Sequence, residues 1–195
     1  FVLIFGTALI LPSIQAFGKK SLSTSHFMGV GFGIVISSIL VTFLGELGFH
    51  WDDLWIGVAV LSVILAVPIF ICTPNEILQH SYSQNSNYKN NFSFSLISIS
   101  YGLYGFGYVI LGTFISAMAR ETSGLEATEM YVWLLVGLAG IPMVLFWPWF
   151  GKKISNDLAL FLACVIMGLG ILMPVLLENK VGITLASILL GSTFI

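Results

Sequence analysis

Ser95-Leu-Ile-Ser-Ile-Ser-Tyr-Gly-Leu-Tyr-Gly-Phe-Gly-Tyr-Val-Ile-Leu-Gly-Thr-Phe-Ile-Ser-Ala-Met-Ala-Arg120 carries no charge until its last position. About 20 apolar residues cover the hydrocarbon core of a bilayer, so the stretch is long enough to span one as a helix. At about 100° per residue, Gly102, Gly105 and Gly112 share one narrow sector of the helical wheel. Tyr101, Tyr104 and Tyr108 occupy the sector beside it. Ile99, Leu103, Phe106, Ile110 and Phe114 fill the opposite arc. Small residues let membrane helices approach closely, and tyrosine offers a flat apolar body with one polar tip. Two uses follow for the tyrosine and glycine face: a tight helix interface with the phenols bonded to neighbouring carbonyls, or the wall of a solute cavity.

The rest of the chain has the same character. It is 57% hydrophobic and 8% charged, with mean hydropathy +1.01, against roughly 45–50% apolar and 25% charged in soluble domains. Seven apolar blocks can be cut from it, at residues 1–17, 26–45, 54–72, 94–118, 131–149, 158–177 and 182 to the end. The expectation is an all-α polytopic transmembrane bundle, because only helices and closed barrels satisfy the backbone in lipid. Phe1 begins inside an apolar run and the last block stops short of a full span, so the chain reads as part of a longer protein. Residues 1–17 lack a basic n-region and a small-x-small cleavage site, and they read as the remainder of a spanning helix rather than a signal peptide.

Loop charge gives a direction. Lys19 and Lys20, Lys89, and Lys152 with Lys153 follow the first, third and fifth blocks, while Arg120 and Lys180 are the only basic residues in the alternate loops. Cytoplasmic loops are enriched in Lys and Arg, which puts the loops at Lys19, Lys89 and Lys152 inside. The polar stretch 73–93, with Pro74 and many Ser, Asn and Gln residues, reads as a cytoplasmic linker between bundles 1–72 and 94–195. Asn91-Phe92-Ser93 fits a glycosylation sequon, but the same charge pattern places it in the cytoplasm.

Internal echoes are faint. Phe-Gly-Lys-Lys occurs at Phe17–Lys20 and again at Phe150–Lys153, consistent with two inside loops. Ile4–Ile10 and Leu189–Ile195 share a glycine followed by small hydroxyl residues, six spans apart, the offset expected of two six-helix halves.

Several chemistries find no support. Cys72 and Cys164 have neither CxxC spacing nor a nearby histidine, and read as buried free thiols. His50-Trp51-Asp52-Asp53 has one histidine beside acids and reads as an outer loop, so no metal site is expected. Gly105-x-Gly107 lies within a spanning helix, where a dinucleotide loop cannot form. Ser123-Gly124 is in a loop and His26, His50 and His80 lie at block ends, which leaves no hydrolytic dyad. No basic and aromatic run suggests nucleic acid. The expectation is a non-enzyme without a cofactor.

The pieces Tyr101-Gly102-Leu103-Tyr104-Gly105-Phe106-Gly107-Tyr108, Thr113-Phe114, Ala119-Arg120, Trp133, Gly137-Leu138-Ala139, Pro142, Trp147 and Gly191-Ser192-Thr193-Phe194 resemble the YbfB/YjiJ-type permeases, bacterial members of the major facilitator superfamily. Gly29-x-Gly31-x-Gly33-Ile34 with Ser37 is similar to the fifth helix of such proteins. The resemblance covers essentially the whole chain. It implies helices four to ten of twelve, an inner-membrane location, and alternating access of a small solute with a site near the midplane, and it leaves the substrate open. Candidate substrate-pathway residues are Tyr101, Tyr104, Tyr108, Thr113 and Trp147, and candidate packing residues are Gly102, Gly105 and Gly112. The loop Trp149–Asp157 keeps only the glycine and the basic pair of the superfamily's Gly-x-x-x-Asp-Arg-x-Gly-Arg pattern. Lys152, Lys153 and Asp157 are the candidates for a cytoplasmic latch there, and topology is the simpler role of the lysines.

No acid or base sits at depth in any complete block, so a coupling proton, if one is a partner, is carried by helices outside the chain. Ser13 and Gln15 are polar candidates that also suit the cytoplasmic interface. Arg120 could attract an anion or simply complement a helix C-terminus. Trp133, Trp147 and Trp149 suit an interfacial belt, with Trp147 alternatively lining an inner vestibule. Partners are therefore a lipid bilayer and an unidentified small-molecule substrate. The competing readings are a seven-helix receptor or sensor and a helical membrane unit that does not transport by itself.

Overall fold

The structure, a computed structural model, describes residues 6–8, 10, 14, 24–72, 92–122, 124 and 128–193. The linker stretch 73–91, Lys19, Lys20, Lys89, Ser13 and Gln15 lie outside them. So does most of the first apolar block, whose described residues are helical. A 3-10 turn at Ser25–Phe27 leads into α1 (Met28–Glu46). It is followed by α2 (Trp51–Cys72), α3 (Phe92–Glu121), α4 (Glu129–Lys153), α5 (Asn156–Leu176) and α6 (Lys180–Thr193). The fold is an all-helical bundle, without strands among the described residues. Five of these helices are long and apolar enough to cross a membrane, and α6 is a shorter apolar helix of 14 residues.

Several helix boundaries have a local cause. At the end of α1, Gly48 has φ +81°, its N–H donates to Gly45 O at 3.0 Å, and the Phe49 N–H donates to Leu44 O at 3.2 Å. This is a Schellman motif, which favours glycine because an L side chain resists positive φ. The His50 to Asp53 cluster is a helix start: the His50 N–H donates to Asp53 Oδ2 at 3.3 Å, and Asp52 and Asp53 occupy the first turn, where the helix dipole favours negative charge. That is why α2 begins three residues before the apolar block. Gly124, at φ +80°, turns the chain between α3 and α4. Ser155 caps α5 by accepting from the Leu158 N–H at 3.1 Å. The Asn179 side chain caps α6 by accepting from the Val181 N–H at 2.9 Å and the Gly182 N–H at 3.1 Å.

The chain divides into two compact units. One comprises Phe1–His26 and Leu40–Asn87, the other Phe27–Ile39 and Tyr88–Ile195. In the first, Thr7 Oγ1 and His26 Nε2 share a hydrogen bond at 3.3 Å. Gly57 lies so close to α1 that a Cβ there would stand 2.8 Å from Leu44 Cδ1.

In the second unit α6 packs most densely against α4 and α5. Leu111, Ile115 and Ala119 from α3, Val132 and Val136 from α4, Met167 from α5, and Ile183, Ala186 and Leu190 from α6 form its core. Gly191 lies flat on α4: a Cβ there would be 2.2 Å from Val136 O. The first half of α1 belongs to this unit and crosses α4 through two glycines. A Cβ on Gly31 would be 3.3 Å from Gly137 O, and one on Gly137 would be 3.0 Å from Gly31 O. Small residues at such crossings allow backbone-to-backbone dispersion contact, the main attraction between helices in lipid.

Candidate functional site

Helix α3 is two-sided. Tyr104, Tyr108, Leu111, Ile115 and Ala119 recur at helical spacing and face the core, Tyr104 and Tyr108 from its edge. Ile99, Leu103, Phe106, Ile110 and Phe114 are exposed, as the wheel places them on the opposite arc. The Tyr104 hydroxyl donates to Thr193 O. From the other side Trp147 Nε1 donates to Ser192 O at 2.6 Å. Two neighbouring backbone carbonyls of α6 are thus each held by an aromatic side chain, one from α3 and one from α4.

The hydroxyls of that segment are satisfied internally. Ser192 donates to Leu189 O at 2.8 Å, Thr193 to Leu189 O at 2.9 Å, and Ser187 to Ile183 O at 2.8 Å. Back-bonding of this kind lets Ser and Thr be buried without an orphaned donor. Among the described residues no buried side-chain nitrogen or oxygen lacks a partner. Trp147→Phe removes the indole donor, and interhelical hydrogen bonds in membranes contribute about 0.6–2 kcal/mol. The expected result is a detergent-solubilised protein that unfolds at modestly lower temperature by scanning fluorimetry, while Trp149→Phe on the exposed side leaves the transition in place.

Between α3 and α5 lies a groove of about 650 Å³. One wall is Ser100, Tyr101, Leu103, Tyr104 and Gly107, and the other runs from Asp157 through Leu160, Phe161 and Cys164 to Ile171. The Tyr101 and Tyr104 rings stack with centroids 6.4 Å apart and planes at 26°. Tyr101 is 70% exposed, whereas Tyr104 is half-buried.

The other candidate residues are dispersed. Tyr108 lies against the core, beside Gly112 and Trp133: a Cβ on Gly112 would be 3.5 Å from Trp133 Cη2 and 3.9 Å from Tyr108 Cε2. Nothing lies within 4 Å of a Cβ built on Gly102 or Gly105. Thr113 is exposed on α3. Lys152 and Lys153 end α4, with Lys153 Nζ 4.0 Å from the Trp149 ring centroid. Arg120 pairs with Glu129 across the α3–α4 turn, its Nε donating at 3.0 Å to both carboxylate oxygens. The pair is largely exposed on the arginine side, where solvent screening leaves it little stabilising effect.

Sequence reasoning did not bring Asp157, Phe161 and Cys164 to the tyrosines. The signal was available: Asp157, Phe161, Cys164, Gly168 and Ile171 follow the three- and four-residue spacing of one helix face. Cys164 is a free thiol, half-buried in the groove wall rather than fully enclosed. Among the described residues no group of three His, Cys, Asp or Glu residues could hold a metal ion.

Spanning helices of this length, packed through glycine and bonded across the bundle by aromatic side chains, define a multi-pass helical membrane protein. Across residues 1–195 the chain matches the family described as uncharacterised MFS-type transporter YbfB, and it belongs to that family of transporters. No curated protein and no solved structure matches it.

Proposed function

We propose that the protein is a secondary active transporter that moves a small solute across the bacterial inner membrane by alternating access. The observation that carries this reading, beyond family membership, is the α3–α5 groove. It is a solute-sized recess of about 650 Å³, with aromatic walls and few polar groups. Tyr101, Tyr104 and Tyr108 belong to the solute path, with Thr113 and Trp147 further along it. Gly112 supports the close packing beside Trp133, and Gly102 and Gly105 leave room for a neighbouring segment. The loops at Lys19, Lys89 and Lys152 are cytoplasmic, residues 73–93 join bundles 1–72 and 94–195, and Lys152, Lys153 and Asp157 form a cytoplasmic latch.

Uptake into proteoliposomes, screened over a metabolite and drug panel with and without a pH gradient, tests the reading and identifies the coupling ion. For a transported solute, Tyr104→Phe removes the hydroxyl that holds α6 and is expected to lower the maximal rate several-fold. Tyr101→Phe keeps the ring and is expected to change mainly the half-saturating concentration. Unchanged kinetics for Tyr101→Phe, Tyr104→Phe and Tyr108→Phe alike would remove the tyrosines from the path.

A further inference from the structure

One side of α4 is graded along its axis. At about 100° per residue, Leu138, Pro142, Leu145, Phe146 and Trp149 fall within one arc of the helix, and all five are exposed. Val132, Val136 and Val144, on the opposite side, are buried. From Leu138 to Trp149 the stripe rises about 16 Å at 1.5 Å per residue, close to the roughly 15 Å of hydrocarbon in one leaflet. Lys152 and Lys153 follow at the end of the helix, both exposed and on either side of the Trp149 direction.

The rings at that end pack on one another. Phe146 stacks on Phe150 with centroids 5.3 Å apart and meets Trp149 at 5.9 Å. Lys153 Nζ stands 4.0 Å from the Trp149 ring centroid. An ammonium over a ring face keeps donors free on its outer side. In this conformation neither lysine pairs with a carboxylate: among the described residues the ion pairs are His50–Asp52 and Arg120–Glu129. The nearest carboxylate in sequence is Asp157, in the first turn of α5. The α4 C-terminus and the α5 N-terminus carry opposite partial charges and meet in the same turn, so they offset each other. Two lysines against one carboxylate leave the turn net positive.

Apolar stripe, interfacial tryptophan and paired cations follow the order of acyl chain, glycerol ester and phosphate in a phospholipid. Tryptophan favours the level of the headgroups, and lysine near the membrane surface attracts anionic lipid. A zwitterionic headgroup brings no net charge to a positive turn. An acidic peptide would satisfy the lysines and leave the apolar stripe uncovered.

We propose that this side of α4 holds an anionic phospholipid of the phosphatidylglycerol kind, its phosphate between Lys152 and Lys153 and an acyl chain along Trp149, Phe146 and Leu145. The site faces the bilayer, so its occupancy is independent of any solute path.

Tryptophan quenching by lipids brominated on the acyl chain tests this, because the bromine acts only at close range and a soluble ion carries none. The full protein is placed in phosphatidylcholine nanodiscs with increasing fractions of brominated phosphatidylglycerol, and in parallel of brominated phosphatidylcholine. Comparison with Trp149→Phe isolates the share of the signal that belongs to Trp149. For one net charge near the surface, the anionic lipid is expected to be preferred about fivefold.

Lys152→Gln with Lys153→Gln should bring that preference to unity or below, and Lys152→Arg with Lys153→Arg should keep it. Asp157→Asn should raise it. Lys180→Gln, at an exposed lysine that begins α6, should leave it unchanged. Equal quenching by the two lipids, a preference that survives loss of both lysines, or one that persists in full in Trp149→Phe each overturns the assignment. A preference that Lys180→Gln reduces as much would mark net charge in place of a site, and brominated phosphatidylethanolamine quenching as well as phosphatidylglycerol would show that the turn selects no anion. Either result also overturns it.

Discussion

Gly191→Ala is expected to lower the apparent unfolding temperature of the purified protein by about 6–12 °C, using roughly 2–4 °C per kcal/mol for a chain of this size. The added methyl carbon would sit 2.2 Å from Val136 O and 2.9 Å from Val136 C and Cα, where ordinary contact begins at 3.4 Å. All three atoms are backbone, so no rotamer change relieves the overlap. Helices α4 and α6 must separate by about an ångström, and Val136 and Leu190, which are essentially inaccessible, lose their packing. Overpacking costs about 1–3 kcal/mol and occasionally more, and a backbone clash belongs at the upper end. Gly102→Ala is the matched control. Nothing lies within 4 Å of its Cβ, and alanine gains about 1 kcal/mol of helix propensity over glycine. Its transition should stay in place or rise slightly. A Gly191→Ala protein as stable as Gly102→Ala would disprove the α4–α6 contact.

That pair of substitutions also marks where sequence reading ended. The spans were legible because bilayer thickness fixes a minimum apolar length: α3 and α4 contain the apolar blocks that length selects, and α5 covers all but the last residue of its block. The two faces of α3 were legible from the wheel, and its lipid-type arc is the exposed one. Which glycines touch another helix was not. Gly102, Gly105 and Gly112 share a sector, yet in the described structure only Gly112 has neighbours within van der Waals range of a Cβ. A wheel orders residues around one axis and says nothing about where along that axis a second helix crosses. Close approach at Gly31, Gly137 and Gly191 is a property of pairs of helices, and one sequence alone carries no pairwise signal.

The tyrosines illustrate the same limit in chemistry. Their sector offered either carbonyl bonding or a cavity wall, and Tyr104 has both attributes, donating to Thr193 O while lining the groove. Asp157 sits more than 50 positions along the chain from Tyr101 and Tyr104, and its spacing puts it on one α5 face with Phe161 and Cys164 without telling which helix that face meets. Its part in a latch rested on loop resemblance, whereas its part in a groove rests on placement.

Gly31→Ala and Gly137→Ala are expected to destabilise the second unit and, combined, to cost clearly less than the sum of their separate effects. On Gly137 the methyl carbon would stand 2.8 Å from Val35 Cγ2 and 3.0 Å from both Gly31 O and Val35 N. On Gly31 it would stand 2.8 Å from Ile141 Cγ1, 3.2 Å from Ile141 N and 3.3 Å from Gly137 O. The Val35 and Ile141 side chains can yield in part, but the backbone contacts cannot, so each single change costs about 1–3 kcal/mol. Either methyl pushes α1 and α4 apart along the same axis. Once the first has opened the crossing, the second enters space already made, and a coupling of about 1 kcal/mol between contacting sites follows. Gly33→Ala, two residues from Gly31 and with nothing within 4 Å of its Cβ, serves as the control. Scanning fluorimetry of the four-member cycle reads the coupling directly. Additive shifts would mean that the two glycines do not share one crossing, and loss of stability in Gly33→Ala would mean that α1 is rotated from the placement described.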